Sequence, residues 1–220
     1  VSVHALQDVA GVPESALADA VAAQLPPAGP PAPWHTRADV VVWLHPAAPD
    51  AARHLPEAFR DRPTIPLTVG AFVRYRDTPV GPYGEILATP VLLAEAPLPP
   101  ACVPFIAVDS LASIRGGREN WDLPKTLARF AFGSGTASAE GDGWRVDARI
   151  RARPRGLAIR LPLRDRQPGA GLIDILAAGR AQPATVELDV RGPQLPQWLL
   201  PGPHAAIAIR DARMTFGAPR

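Results

Sequence analysis

Along most of this chain the apolar positions come in short runs or in alternation with polar ones, and Pro, Gly or Asp interrupts them every few residues. Such punctuation marks strands, because a pleated ribbon sends successive side chains to opposite faces. Asp39 to Leu44 reads as a buried strand, followed by strands over Thr64 to Arg76, Glu85 to Ala96 and Val103 to Val108. The pattern continues over Ala128 to Phe132, Trp144 to Arg153, Leu157 to Leu163, Thr185 to Val190 and Ala205 to Phe216, with Glu140-Gly-Asp-Gly143 as a hairpin turn. Helical spacing is confined to Glu14 to Leu25, to Ala47 to Phe59 with Pro56 limiting its length, and to two short stretches, Ser110 to Ile114 and Leu172 to Arg180. Pro26 to Pro33 forms a proline-stiffened connector. The expected fold is mainly β, an antiparallel barrel-like or highly curved sheet with a few short helices; α+β is the alternative. One domain over residues 1–220 is expected, with 1–33 as a helix and connector at its edge.

Composition agrees with a packed globular chain: 47% of residues are hydrophobic and 20% charged, while 28 prolines argue against long helices. A net charge of +2 leaves no basic footprint for nucleic acid. The run Asp147-Ala-Arg-Ile-Arg-Ala-Arg153 places its odd-numbered charges on one strand face and Ala148, Ile150 and Ala152 on the other, the pattern of a solvated sheet face. No segment has the length of a membrane span, and Val1-Ser-Val-His lacks the features of a secretory signal. With one cysteine, Cys102, read as a small core residue before a strand, a cytoplasmic location is expected. His35, His45, His54 and His204 fit no zinc-ligand spacing, and Gly133-Ser-Gly135 lacks a nucleotide-binding context, so neither metal nor cofactor is expected.

One count changes the picture. The 23 basic side chains comprise 22 arginines and a single lysine, Lys125. On a solvated surface the two residue types serve similarly, but a guanidinium cannot become a neutral amine nucleophile, whereas a desolvated ammonium can. The count alone leaves two readings open, retention for amine chemistry and survival of a compositional bias.

The surrounding residues weigh on that choice. Gly117-Arg-Glu-Asn-Trp-Asp-Leu-Pro-Lys125 resembles the Schiff-base segment of acetoacetate decarboxylases, with matching spacing. Upstream, Val80-Gly-Pro-Tyr-Gly-Glu85 resembles the G-x-Y-x-E segment of that family, and Trp34-His-Thr-Arg37 resembles, more weakly, the segment that carries its pocket arginine. The resemblance covers residues 34–216 and implies a mainly antiparallel barrel-like fold and a self-associating protein. It implies a lyase acting on a small keto acid. Lys125 would be the nucleophile and Glu85 its acid–base partner, with Arg37, Tyr83, Arg118, Glu119 and Trp121 around the substrate. Leu195 to Leu200 is an apolar loop suited to self-association.

A neutral amine attacks a ketone, water leaves, and the protonated imine withdraws electrons from the adjacent C–C bond. Freeing the amine near neutral pH requires its pKa to fall about three units from about 10.4, roughly 4 kcal/mol. Desolvation or a neighbouring cation lowers the lysine pKa in acetoacetate decarboxylases, a known family property rather than a deduction from this sequence. Here burial against Trp121, Leu123 and Phe130 is expected to supply it. Two departures stand out: Thr126 occupies the place of the family's second lysine, and a second family carboxylate falls at Gly70. They leave a lysine-imine aldolase or dehydratase, and a non-catalytic ligand-binding barrel, as alternatives to a decarboxylase. Arg118 and Glu119 also read as a structural ion pair, Glu85 as a solvated charge and Arg37 as a surface charge.

Overall fold

The computed structural model describes residues 3–220. Of the N-terminal edge, Val1 and Ser2 lie outside the described residues. Among the described residues three α-helices, α1 (Val3–Gln7), α2 (Asp19–Ala22) and α3 (Leu111–Trp121), accompany thirteen strands. The strands are β1 (Trp34–Pro46), β2 (Thr64–Ile65), β3 (Leu67–Asp77), β4 (Tyr83–Thr89), β5 (Leu92–Leu93), β6 (Phe105–Val108), β7 (Lys125–Leu127), β8 (Arg129–Gly133), β9 (Thr136–Gly141), β10 (Trp144–Ala152), β11 (Leu157–Gln167), β12 (Gly171–Arg191) and β13 (Gly202–Phe216).

Ten strands form one path in the order β7-β6-β4-β3-β1-β13-β12-β10-β9-β8, and β11 joins the first half of β12 beside β10. β6 and β7 are parallel and the other pairs of the path antiparallel, so the sheet is mixed. The two terminal strands of the path, β7 and β8, are consecutive in the chain with Ala128 alone between them. The ring is therefore nearly closed, which leaves few sheet edges exposed. The mainly β, barrel-like expectation holds.

Alternation sorts the side chains. On β4, Gly84, Ile86 and Ala88 face inward, and Ile86 and Ala88 join the main core with Trp43, Phe72, Phe105, Trp144 and Trp198. The opposite face sends Tyr83 into a second cluster with Tyr75, Val108, Ile114 and Leu17, between the sheet, α3 and the N-terminal segment. Burying an aromatic or branched side chain contributes about 1.5–3 kcal/mol each, so both faces of β4 carry stability.

Several expected elements differ. Leu172 to Arg180 is not helical; it lies within β12, where β11 and β13 flank it and supply ladder partners on both sides. Glu14 to Leu25 yields only a 3₁₀ turn at Pro13–Ser15 and the four-residue α2. Glu14 turns inward there, its Oε1 accepting from the backbone N–H groups of Gln194 and Leu195 at 2.6 and 3.0 Å, so it is lost to a solvated helix face. Ala47 to Phe59 forms two 3₁₀ turns, Ala51–His54 and Glu57–Phe59, with Pro56 between them. Ser110 to Ile114 extends into the longer α3, and Thr136–Gly141, not foreseen, pairs with both neighbours. In the loop read as a self-association surface, Leu195, Trp198 and Leu199 are fully buried in the core. Among the described residues no helix is long and apolar enough to cross a membrane.

Candidate active site

Ser110 caps α3, its hydroxyl accepting from the N–H of Ser113. At the other end Asp122 takes the left-handed conformation, φ 53°, and its N–H returns to the carbonyl of Arg118, so the chain turns sharply toward β7. This places Ser113 and Gly117, one turn apart on α3, over the side chain of Lys125. A Cβ at Gly117 would lie 2.5 Å from Lys125 Cδ and 2.7 Å from Cε, so glycine is what lets the lysine stem pass beneath the helix.

Arg118 fixes the backbone of the same residue. Its guanidinium is buried and donates to the carbonyls of Lys125, Leu6 and Ser15 at 2.7, 2.5 and 3.0 Å. Burial pushes its pKa down to about 10. Arg118 and Glu119 do not pair with each other: Glu119 accepts from Arg115 at 3.0 Å and from the N–H of Gly29 at 3.2 Å. Trp121 donates its indole N–H to the carbonyl of Gly217 and packs against Trp34 and Phe216. These three residues hold the loop around Lys125; none of their hydrogen bonds reaches its ammonium.

The ammonium makes a buried ion pair. Lys125 Nζ lies 2.7 Å from Glu85 Oε2 and 3.0 Å from Ser113 Oγ, and the ring centre of Tyr83 is 5.3 Å away. Tyr75 donates its hydroxyl to Glu85 Oε1 at 3.1 Å and packs against Tyr83 with the rings tilted and their centroids 4.4 Å apart. Lys125 and Glu85 are only 3% and 2% exposed, so both charges have lost most of their water. Such a pair persists where the geometry is close and the remaining lone pairs find donors.

Burial alone lowers the Lys125 pKa, but Glu85 and Tyr83 raise it by more, and it ends above the ordinary lysine value. The expected depression by desolvation is thus reversed by a carboxylate at hydrogen-bond distance. Burial raises Tyr83 to about 12, with Glu85 adding to the rise and Lys125 and Ser113 opposing it. Tyr75 rises well above its usual value, from burial first and then Glu85. Both phenols therefore stay protonated, and that of Tyr75 donates to Glu85.

Sequence reading brought Lys125, Glu85 and Tyr83 to one place, and the structure joins them with Ser113 and Tyr75. Ser113 carried a signal only in its spacing, three residues after a capping serine and four before Gly117. Arg37 lies elsewhere: its side chain is 52% exposed and paired with Asp211 at 2.7 Å. The expected apolar wall also differs, since Trp121 and Leu123 belong to a cluster around Trp34 and Phe130 packs against the main core. Thr126 directs its hydroxyl to the carbonyl of Ala16. The space a side chain at Gly70 would need is filled by the Trp43 ring, on the face of β3 opposite Tyr75. Among the described residues no three His, Cys, Asp or Glu side chains are grouped to hold a metal ion.

The family model of acetoacetate decarboxylase (ADC) matches residues 17–159. Among solved structures, acetoacetate decarboxylase from Legionella pneumophila superposes with a TM-score of 0.63 at 16% identity over 87% of each chain. A second acetoacetate decarboxylase structure gives 0.61 at 15% identity, over 100% of this chain and 96% of that one. The enduracididine biosynthesis enzyme MppR, complexed with the condensation product of pyruvate and imidazole 4-carboxaldehyde, gives 0.52 at 17% identity, over 87% and 89%. At these identities the likeness is one of fold. No curated protein matches the chain at a significant level. With its family model spanning most of the chain and its barrel-like sheet shared with those enzymes, this protein belongs to the acetoacetate decarboxylase family.

Proposed function

We propose that the chain is a Schiff-base-forming lyase acting on a small keto acid, with Lys125 as nucleophile and Glu85 as its proton partner. The observation that carries this reading is the buried contact of 2.7 Å between the chain's single lysine and Glu85. In a low-dielectric site a proton moving from the ammonium to the carboxylate replaces two buried charges with two neutral groups, which offsets their desolvation. The amine so freed adds to the ketone carbon of the substrate. A proton shifts from nitrogen to oxygen, and Glu85 then returns its proton to that oxygen. Water leaves, and Lys125 is joined to the substrate as a protonated imine with Glu85 ionised again. A β-carboxylate then departs as CO2, its bonding electrons passing into the imine. Arg37 has no part in this scheme, because its guanidinium pairs with Asp211 on the exposed side.

A second reading keeps the imine and changes the outcome to an aldol-type condensation or a dehydration. Thr126 and Gly70, at the positions where family likeness leads one to look for a second lysine and a second carboxylate, favour it. The pyruvate condensation product held by MppR is the corresponding chemistry on a similar fold. Borohydride reduction in the presence of acetoacetate or pyruvate tests both readings. A secondary amine at Lys125 is expected, absent in Lys125→Arg; release of CO2 from acetoacetate then selects the decarboxylase, and an adduct without CO2 selects the alternative. If folded protein gives no adduct with several keto acids, the lyase reading fails and a non-catalytic ligand-binding barrel is left.

A further inference from the structure

Two acceptors lie within 3.0 Å of the reacting nitrogen, Glu85 Oε2 at 2.7 Å and Ser113 Oγ at 3.0 Å, with the Tyr83 phenol as a lesser contributor beside them. An ammonium has three N–H bonds and satisfies both. A protonated imine has one, since its nitrogen is planar and carries Cε, the substrate carbon and a single hydrogen. Imine formation at Lys125 must therefore release one of the two acceptors.

Chemistry decides which one. The hydroxyl of the carbinolamine has to be protonated to leave as water, and the donor must be a group that gains and gives a proton readily. Glu85 is such a group and a serine hydroxyl is not. Glu85 can reach the departing oxygen only if it is no longer bound to the nitrogen's last hydrogen.

We infer that Ser113 is a further catalytic residue, the acceptor that keeps the single N–H of the protonated imine on Lys125 while Glu85 is released to protonate the departing hydroxyl. The local structure is built for this. Ser113 is fully buried, its backbone N–H is held by the cap at Ser110, and Gly117 one turn later leaves the lysine stem free to lie along the helix. Its own hydroxyl hydrogen is free to point toward Tyr83, whose phenol interacts electrostatically with both Ser113 and Lys125. The oxygen thus presents a lone pair to the nitrogen in both states, and Ser113 keeps its place when the imine forms. The imine nitrogen is held in one rotation about the Cε–Nζ bond, with the carbon–carbon bond to be cleaved in a fixed orientation.

This inference rests on the lyase reading, and the experiment separates the two. Borohydride trapping of acetoacetate or pyruvate is followed across pH for the wild type, Ser113→Ala and Ser113→Thr. With Ser113→Ala the maximal trapping rate is expected to fall about tenfold, the effect of one lost hydrogen bond to a charged group. The half-saturating keto-acid concentration should stay close to that of the wild type. The alkaline limit of trapping should move down by about one pH unit, because the protonated imine has lost its acceptor. Ser113→Thr keeps the hydroxyl and should restore the alkaline limit. If Ser113→Ala folds and traps at the wild-type rate with an unchanged alkaline limit, the assignment of Ser113 is overturned while the lyase reading stands. No adduct in the wild type overturns both. Should Ser113→Ala not fold, Ser113→Cys, a weaker acceptor of similar shape, carries the same expected shift and the same overturning result.

Discussion

Gly117 and Lys125 stand eight residues apart in sequence and in contact in space: the position a Cβ would take on the glycine is 2.5 Å from the Cδ of the lysine. The helix and the nucleophile are therefore fitted to each other along the lysine stem, away from its reactive end.

Replacing Gly117 by alanine should push the lysine stem from under α3. The expected cost in stability is about 1–3 kcal/mol, the range for overpacking a filled site. Imine trapping should fall by more than stability alone explains, because Nζ would leave the Glu85 and Ser113 oxygens. Denaturant midpoints and trapping rates on the same preparation check this. Wild-type trapping by Gly117→Ala would show that the stem has room to spare.

Glu85→Gln should change the acidity of Lys125 in a defined direction. With Glu85 present the lysine pKa is raised, burial being outweighed by the carboxylate and Tyr83. The pair's contribution to stability is then full below the unfolded lysine value of about 10.4 and is lost as pH rises through the higher folded value. Without the carboxylate, burial dominates and the pKa should drop below the ordinary value. Acylation of Lys125, the only lysine, should shift to lower pH in the variant, while turnover falls about 10²-fold.

Asp165 offers a test remote from the proposed chemistry. It is buried, both its carboxylate oxygens accept from the amide of Gln167, and burial pushes its pKa up to about 7. Between the unfolded carboxyl value of about 3.9 and about 7, the folded state holds a proton that the unfolded state has lost, so stability should decline as pH rises through that window. Asp165→Asn should flatten the decline and melt higher than the wild type at pH 8. Thermal melts at pH 5 and 8 decide it; parallel slopes for the two proteins would count against the assignment.

Arg118→Lys keeps the charge but not the fork. An ammonium in this place reaches one of the three carbonyls now served, and each buried carbonyl left without a donor costs about 1–3 kcal/mol. A loss of roughly 2–6 kcal/mol is expected by urea denaturation. Because one of those carbonyls belongs to Lys125, trapping should weaken together with stability.

The parts legible in sequence were those that depend on local pattern. Asp39 to Leu44 shows itself as a strand by its continuous β-branched run and Trp144 to Arg153 by alternation, and Lys125 and Glu85 by spacing within short segments. What was hidden depends on distant partners. Leu172 to Arg180 becomes strand because β11 and β13 offer hydrogen bonds on both sides, which no reading of its own residues reveals. Arg37 looked available for a substrate until Asp211, 174 positions away, was seen to hold it. The raised pKa of Lys125 follows from Glu85 lying 40 positions earlier on another strand. Tyr75 reaches the site only because the β3–β4 pairing sets it opposite Tyr83.

The seam of the barrel has a consequence for how this protein can be cut and rejoined. The sheet begins at β7 and ends at β8, and these are linked by a single residue, Ala128, whose N–H goes to Val108 on the β6 side. Closure at that point is supplied by the covalent chain. A circular permutant opened at Ala128, with its old termini joined, would retain every strand pairing of the sheet yet lose its fastening beside the lysine, whereas one opened at the Gly143 turn would lose nothing at Lys125. Among permutants of this barrel, the place of the break relative to the seam should therefore govern which ones keep a reactive amine.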